Sequence, residues 1–183
     1  MSFCTYMYRI DSLLKSDQKL YHTRDLALLW GITNNNTLYT SIKRYIAKGI
    51  LIPIQKGYYS TVPLVSVDPV RVGVGYLHSF AYVSAESVLS QQGVIFQHSD
   101  YITLISNRSL KFKLGRYSYW VRKLRDLSLY NDYGITQENG VFTASLERAV
   151  TDIQYFNPRY YFDNRKKINW VEVNKIKKEV YTI

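Results

Sequence analysis

Polar side chains with hydrogen-bonding groups recur on one side of a helix that is predicted to begin near Asn35. The residues on this side are Asn35, Asn36, Tyr39, Thr40 and Lys43. Their amide, hydroxyl and ammonium groups are the types that hydrogen-bond base edges or phosphate oxygens. Arg44 falls near the edge of the same side, within reach of a phosphate. This pattern favours recognition of a nucleic acid, and an ordinary solvated amphipathic helix is the alternative.

The neighbouring residues predict how this helix is held. On its other side Leu38, Ile42, Tyr45 and Ile46 recur at helical spacing and predict a stripe that faces a core. A preceding helix is expected to begin with Thr23 as its N-cap and to end at Gly31, and the polar run 33–36 supplies caps for the helix that follows. The two helices are therefore predicted to be joined by a short turn.

A hairpin is predicted directly after these helices. The run Ile50 to Gln55 has strand composition, Pro53 within it fits an edge strand, and Lys56-Gly57 is a turn signal. Lys56 would meet phosphate at the tip, whereas Tyr58 would either pack or hydrogen-bond the backbone of DNA. Helix, turn, helix and hairpin in this order predict a winged helix-turn-helix.

The chain of 183 residues is long enough for two modest domains. A boundary is indicated by the segment 60–69, which contains two prolines and lacks helical periodicity. We predict an α+β protein with a winged helix-turn-helix at 1–60, a linker at 61–69 and a mixed α/β domain at 70–183.

The second domain is predicted to combine helices with a small antiparallel sheet. Its expected features are a helix capped by Ser84 and stopped by Gly93, strands at Tyr101 to Ile105, Leu110 to Leu114 and Tyr117 to Val121, a hairpin turn at Asn139-Gly140, a helix from Ser145 and a helix from Trp170 to Val180.

The net charge is +10, and both halves of the chain contribute to it. Residues 1–60 have eight Lys or Arg against three Asp, and residues 61–183 have sixteen Lys or Arg against eleven acids. The second half contains an acid-free run of basic residues at Arg108, Lys111, Lys113, Arg116, Arg122, Lys123 and Arg125, and a later cluster at Arg165, Lys166, Lys167, Lys175, Lys177 and Lys178. Such charge attracts polyanions. Solubility alone and docking of an acidic protein partner are the alternatives.

No catalytic, metal or cofactor site is predicted. His22, His78 and His98 lack the local spacing of a zinc motif, and Cys4 is the only cysteine. Val72 to Tyr76, VGVGY, lacks the strand-to-helix context of a dinucleotide site. The chain also lacks a signal-peptide layout and an apolar run long enough to span a bilayer, so we expect no membrane partner and a cytoplasmic protein.

Four segments of the chain resemble, in order, motifs of the AbiEi-type antitoxins, the transcriptional regulators of type IV toxin-antitoxin systems. They are TRDLALLWGITNNNTLYTSIKRYIAKGILIPIQKGYY (Thr23 to Tyr59), YVSAESVLSQQGVI (Tyr82 to Ile95), SLERAVTDI (Ser145 to Ile153) and NPRYYFDNRKKINWVEVNKI (Asn157 to Ile176). The resemblance therefore covers nearly the whole chain, with the winged helix at one end and the antitoxin domain at the other.

The resemblance implies a repressor that binds inverted repeats in the promoter of its own operon, with two copies occupying the double-stranded DNA cooperatively. It also implies that the C-terminal domain counteracts a nucleotidyltransferase-like toxin encoded downstream. The residues themselves favour DNA binding only. The alternative is an interaction or RNA-binding module in which the basic C-terminal domain holds the partner.

Overall fold

The computed structural model describes residues 3–97 and 99–181, and the chain divides into two compact units, Met1–Asp68 and Pro69–Ile183. Both units combine helices with strands, so the predicted α+β class is confirmed. Within the predicted linker at 61–69, Leu64–Ser66 form one turn of 3-10 helix and Pro69 begins the first helix of the second unit. No helix in the described residues is long and apolar enough to cross a bilayer.

The first unit packs its helices on a small antiparallel sheet. Its elements are α1 (Phe3–Lys15), β1 (Leu20–His22), α2 (Thr23–Leu29), α3 (Asn35–Ala47), β2 (Ile52–Gln55) and β3 (Tyr58–Ser60). The strands that the structure describes here run in the order β1-β3-β2. Pro53 lies on β2 at the edge, where its missing N–H breaks no ladder, and this agrees with the prediction.

The apolar side of α3 faces the core of the first unit. Leu38, Ile42 and Tyr45 are buried and Ile46 is half-buried, as the spacing predicts. Tyr45 stacks on Trp30 at the end of α2, with ring centroids 5.0 Å apart. Burial of large apolar side chains at this seam stabilises α3 against α2, and it leaves the opposite side of α3 in solvent.

Of the helix ends predicted for α2 and α3, one is wrong. Asn34 caps α3, because its Oδ1 accepts from the backbone N–H of Thr37 at 3.1 Å. Gly31 ends the preceding helix with a φ of 60°, a conformation that glycine adopts without strain. The prediction that Thr23 is an N-cap is wrong: His22 is the cap, and Thr23 is the first helical residue. The N–H of His22 donates to Asp25 at 2.7 Å, which completes the start of α2.

The second unit is built around a larger sheet. Its elements are α4 (Pro69–Leu77), β4 (Ala81–Val83), α5 (Glu86–Gln91), β5 (Tyr101–Ser106), β6 (Leu110–Leu114), β7 (Tyr117–Lys123), α6 (Asp126–Leu129), β8 (Ile135–Glu138), β9 (Val141–Ala144), α7 (Leu146–Phe156) and α8 (Trp170–Tyr181). The predicted hairpin at Asn139-Gly140 and the predicted helices at 145 and 170 are confirmed.

The sheet of the second unit differs from the small antiparallel sheet that was predicted. Its described strands run in the order β6-β7-β5-β4-β9-β8, and the sheet is mixed. Strands β5 and β7 are parallel neighbours, as are β4 and β9. The three strand segments at 101, 110 and 117 were located correctly, but β6 pairs with β7 alone and lies at the edge. Pairing partners depend on contacts between distant segments, which local patterns do not report.

The predicted cap of α5 at Ser84 is also wrong. Ala85 precedes the helix with a φ of 50°, and the Ser84 hydroxyl instead donates to Asp152 at 2.5 Å. Ser84 is buried, so its hydroxyl needs a partner inside the protein. A carboxylate on a helix 68 positions away supplies that partner.

A close approach between α4 and the sheet explains a glycine within that helix. A Cβ atom on Gly73 would lie 2.3 Å from the ring of Tyr119, which is buried and stacked on Phe112. The Tyr119 hydroxyl donates to the carbonyl of Pro69 at 2.7 Å. The segment VGVGY is therefore a helix packed on a tyrosine ring, and Gly73 makes that packing possible.

Arg148 on α7 is the most extensively hydrogen-bonded side chain in the described part of the second unit. It is fully buried, and all five of its N–H groups donate. Its acceptors are Asp152 Oδ1 at 2.9 Å, the carbonyls of Asn131 at 3.0 Å, Tyr133 at 2.9 Å and Ser128 at 2.9 Å, and the Tyr82 hydroxyl at 3.0 Å.

Asp152 completes this buried network. Its carboxylate accepts from Arg148, from Ser84 and from the hydroxyl of Tyr181 on α8. Burial, the largest single effect, lowers the pKa of the Arg148 guanidinium, but Asp152, Tyr82 and Tyr181 together outweigh it and raise that pKa above its usual value. Burial, followed by the charge of Asp152, raises the pKa of Tyr181. The guanidinium is therefore charged, and the hydroxyls of Tyr181 and of Tyr82, whose pKa burial also raises, are neutral.

We expect Arg148→Met to destabilise the second unit by about 3 to 5 kcal/mol, because the change leaves the Asp152 carboxylate buried without its cation. Urea-induced unfolding measures the loss, and hydrogen exchange resolved by segment assigns it to the second unit. Arg159→Met is the matched control, since Arg159 is exposed. A loss below about 1 kcal/mol for Arg148→Met would contradict a structural role for the network.

Candidate nucleic-acid interface

The polar side of α3 is exposed along its first two turns. Asn36, Tyr39, Thr40 and Lys43 follow a spacing of three, one and three residues, so they lie on one side of the helix with Asn35 beside them. All five side chains are exposed, and Tyr39 is 51% exposed although it is a large aromatic residue. The structure therefore brings together the residues that were selected from the sequence.

Hydrogen bonds define what this surface can offer to a ligand. The Thr40 hydroxyl donates to the carbonyl of Asn36 at 2.7 Å, so its oxygen remains an acceptor. Asn35 and Asn36 carry both donors and acceptors, and the Lys43 ammonium carries donors only. Arg44 is exposed at the edge of this side. The donors and acceptors of this surface can pair with base edges, and the cation among them can contact a neighbouring phosphate.

The turn between β2 and β3 presents Lys56 and is tied to the start of α2. Lys56 is exposed, and Gly57 has a φ of 80° that closes the two-residue turn. The backbone N–H of Thr23 donates to the carbonyl of Gly57 at 3.0 Å. Because Thr23 begins α2, this bond fixes the turn relative to the helices. Lys56 is thereby held on a rigid part of the unit.

Tyr58 belongs to the core. Of the two roles predicted for it, packing and a hydrogen bond to the DNA backbone, the structure adopts packing. Its side chain is 1% exposed and stacks on His22 with ring centroids 4.3 Å apart. Burial, followed by the charge of Asp25, raises the pKa of its hydroxyl. A ring that is covered in this way cannot contact a DNA backbone, so Tyr58 is removed from the candidate interface.

The basic residues of β6 and β7 separate onto different surfaces. Lys111 and Lys113 lie on one face of the sheet, and Lys123 lies on the opposite face because it alternates with Arg122 along β7. Arg116 is exposed in the turn between these strands, and Arg125 is exposed before α6. The predicted secondary basic surface is therefore two surfaces with different neighbours.

Arg122 is not a surface cation, and its assignment to the secondary basic surface is wrong. It pairs with Glu86 at 3.0 Å, and the two side chains are 13% and 15% exposed. Its guanidinium also lies 3.9 Å from the centroid of Phe156 and 4.8 Å from that of Trp120. Burial lowers the pKa of Arg122 although Glu86 opposes the shift. The side chain holds α5 and α7 against the sheet.

Several residues of the C-terminal basic cluster likewise make contacts within the second unit. Lys167 donates to the carbonyl of Gln92 at 3.0 Å, Arg165 lies over the ring of Trp170 at 4.9 Å, and Lys175 lies over that of Tyr133 at 5.1 Å. The contacts of Lys167 and Lys175 join segments that are far apart in the chain, so local patterns do not predict them, whereas Arg165 and Trp170 are only five positions apart. The contacts account for part of this charge without a ligand.

Of the three histidines, His98 lies outside the described residues. Among residues 3–97 and 99–181, no group of three or more His, Cys, Asp or Glu side chains is arranged to hold a metal ion. Comparison of the chain with protein-family models gives no match, and comparison with curated proteins gives none either. The candidate interface is therefore described by its own geometry.

We expect Arg122→Gln to destabilise the second unit by about 1 to 3 kcal/mol, since the change leaves the largely buried Glu86 carboxylate without its charged donor. Lys123→Gln removes the same charge from the next residue of β7, which is exposed, and should change the free energy of unfolding by less than about 0.5 kcal/mol. Urea-induced unfolding compares the two. Equal effects would show that Arg122 is only one more surface charge.

Proposed function

We propose that the first unit is a winged helix-turn-helix that binds double-stranded DNA, with α3 in the major groove and the β2–β3 turn on the phosphate backbone. The element order α1-β1-α2-α3-β2-β3 and the three-strand sheet order β1-β3-β2 in the described residues support this. The observation that carries the proposal is the exposed polar side of α3 at 35–43, whose opposite side is buried. Such a helix presents its N-terminal residues to base edges.

The assignment of roles follows from what each side chain can donate or accept. Asn35 and Asn36 offer the paired donor and acceptor that suit adenine, and Lys43 offers a donor to guanine or phosphate. Tyr39 and Thr40 lie beside them. Arg44 and Lys56 are assigned to phosphate, because a cation at the margin of the interface gains affinity from counterion release without reading sequence.

We further propose that the protein represses its own operon and is the antitoxin of a nucleotidyltransferase-like toxin encoded downstream. This part rests on the resemblance of residues 23–59, 82–95, 145–153 and 157–176 to the AbiEi-type antitoxins. Within that resemblance, Arg148 and Asp152 of SLERAVTDI form the buried network of the second unit. The motif therefore has a structural reason to be present, and antitoxin activity needs its own test. Co-expression with the downstream gene provides that test, and unrelieved toxicity would contradict the antitoxin assignment.

Replacing Asn36 or Lys43 by Ala should weaken binding to the upstream intergenic region by about 1 to 3 kcal/mol and reduce the preference for that region over random duplex. Gel-shift titration of the full chain measures both quantities. Lys48→Ala is the matched control, because Lys48 is an exposed cation at the other end of α3. Equal losses on the upstream region and on random duplex would show that α3 does not read bases.

Lys56→Ala should weaken binding to all duplexes to a similar extent. Loss of one phosphate contact predicts that the slope of log affinity against log salt concentration becomes shallower by about one unit. Titrations at several salt concentrations measure the slope for the upstream region and for random duplex. An unchanged slope, or a loss confined to one sequence, would contradict a phosphate contact at Lys56.

A further inference from the structure

One face of the sheet in the second unit carries cations and aromatic rings side by side. The register of β5, β7 and β6 places Tyr101, Ser118 and Lys113 on this face, followed by Thr103, Trp120 and Lys111. On the opposite face Tyr119 packs against α4. The side chains of Lys111 and Lys113 are exposed and those of Tyr101 and Trp120 are half-buried. We call this surface the β5–β7–β6 face.

Lys111 is held in a defined position on this face. Its ammonium nitrogen lies 4.7 Å from the ring centroid of Tyr101 and 4.5 Å from that of Trp120. Contact with two rings restricts a side chain that is otherwise flexible, so less entropy is lost when the ammonium binds an anion. Lys113 and Arg116 are exposed nearby, and residues 108–125 contain no acid. The face therefore presents exposed cations, one of them held against two rings, that can contact phosphate groups.

A cleft of about 380 Å³ opens at the end of the face where β5 and β7 begin. Its wall contains the rings of Tyr101 and Tyr117, hydroxyls from α5 and from the strands, and the exposed carboxylate of Asp100, with Arg116 also lining it. The guanidinium of Arg116 lies 5.0 Å from the Tyr117 ring and donates to its hydroxyl at 2.9 Å. A cleft of this volume is within the range of about 300 to 1,000 Å³ that is typical of small-ligand sites.

The composition of the cleft suits a nucleoside better than a phosphate. The exposed carboxylate of Asp100 repels a phosphate but accepts hydrogen bonds from base amino groups or from sugar hydroxyls, whereas the Glu86 carboxylate is already paired with Arg122. The rings offer stacking surfaces, and the hydroxyls of Ser87, Ser90 and Ser118 both donate and accept. Phosphates would lie outside the cleft next to Lys111 and Lys113, and Arg116, an exposed residue of the cleft wall, would contact the phosphate of the bound nucleotide. A base within a duplex is stacked and paired and cannot enter, whereas an unpaired base can.

We propose that the β5–β7–β6 face binds single-stranded nucleic acid. Lys111, Lys113 and Arg116 contact successive phosphates, and one unpaired base enters the cleft and stacks against Tyr101. Charge complementarity between the acid-free basic run and the phosphate backbone supplies affinity, and the rings favour unstacked bases. This activity is separate from duplex binding by α3, because it uses residues of the second unit only.

Fluorescence anisotropy of the full-length protein with labelled, unstructured 12-nucleotide strands tests the proposal, with RNA and DNA strands as parallel arms. Tyr101→Leu should weaken binding about 5-fold to 150-fold, since stacking of one base on a ring is worth roughly 1 to 3 kcal/mol. Lys113→Gln should make the salt slope shallower by about 0.7 unit, the value for one phosphate on a single strand. Binding of either strand with these effects supports the proposal.

The control variants separate this surface from the others. Lys123→Gln removes an equal charge from the opposite face of β7 and should leave single-strand binding within about twofold of wild type. Lys43→Ala, which alters the α3 surface, should also leave single-strand binding within about twofold of wild type. The test therefore holds even if α3 does not recognise duplex DNA. If Tyr101→Leu lowers the melting temperature, its loss of binding does not report on stacking alone. The salt slope of Lys113→Gln, a variant on the exposed edge strand, then decides the outcome.

Two results would overturn the proposal. One is the absence of binding to both strands. The other is an equal loss for Lys113→Gln and Lys123→Gln, which would show that net charge acts without a defined face.

Discussion

The fold of the second unit depends on one buried ion pair, Arg148 with Asp152. A guanidinium in a protein interior is destabilising unless its donors and its charge are all matched. Here five N–H groups find acceptors on β4, α6, the loop before β8 and α7 itself. Asp152 in turn accepts from Ser84 at the end of β4 and from Tyr181 on α8. Loss of one partner would leave the others unpaired, so these elements are fixed together.

The chain leads from this network into a second ion pair. Ser84 and Ala85 lead directly into α5, whose Glu86 pairs with Arg122 on β7. Arg122 is thereby kept among rings, while Lys111 and Lys113 on the neighbouring edge strand stay exposed. The same strands thus contain cations used for packing and cations available to a ligand. Charge counts along the chain do not distinguish the two kinds.

Much of the first unit could be predicted because its determinants are local. The Asn34 cap, the turn at Gly31 and the inward stripe of α3 each depend on residues within a few positions. The exposure of Asn36 and Lys43 follows from the same periodicity. Tyr58 was undecided in the sequence, because its burial depends on His22 from a distant strand. The sequence places Lys56 at a turn, but it does not show the bond between Thr23 and Gly57 that holds this turn next to α2.

The second unit was harder to predict, because its determinants join distant segments. Strand β5 pairs in parallel with β7 and not with β6, the next strand in the chain. Local sequence patterns do not predict which strands pair. Ser84 has the residue type of a helix cap, but a buried carboxylate on α7 takes its hydroxyl. Arg122 belongs to a basic run in sequence and to an ion pair in space. The errors at Ser84 and Arg122 come from long-range contacts that satisfy buried polar groups.

The duplex interface proposed for the first unit consists of the exposed side of α3 and the Lys56 turn. Titration of isotope-labelled protein with a duplex of the upstream intergenic region, followed by amide NMR spectra, tests this claim most directly. If α3 and the Lys56 turn contact the duplex, the largest shift changes will fall at residues 34–44 and 55–58. Shift changes confined to residues 69–181, with α3 unaffected, would contradict it.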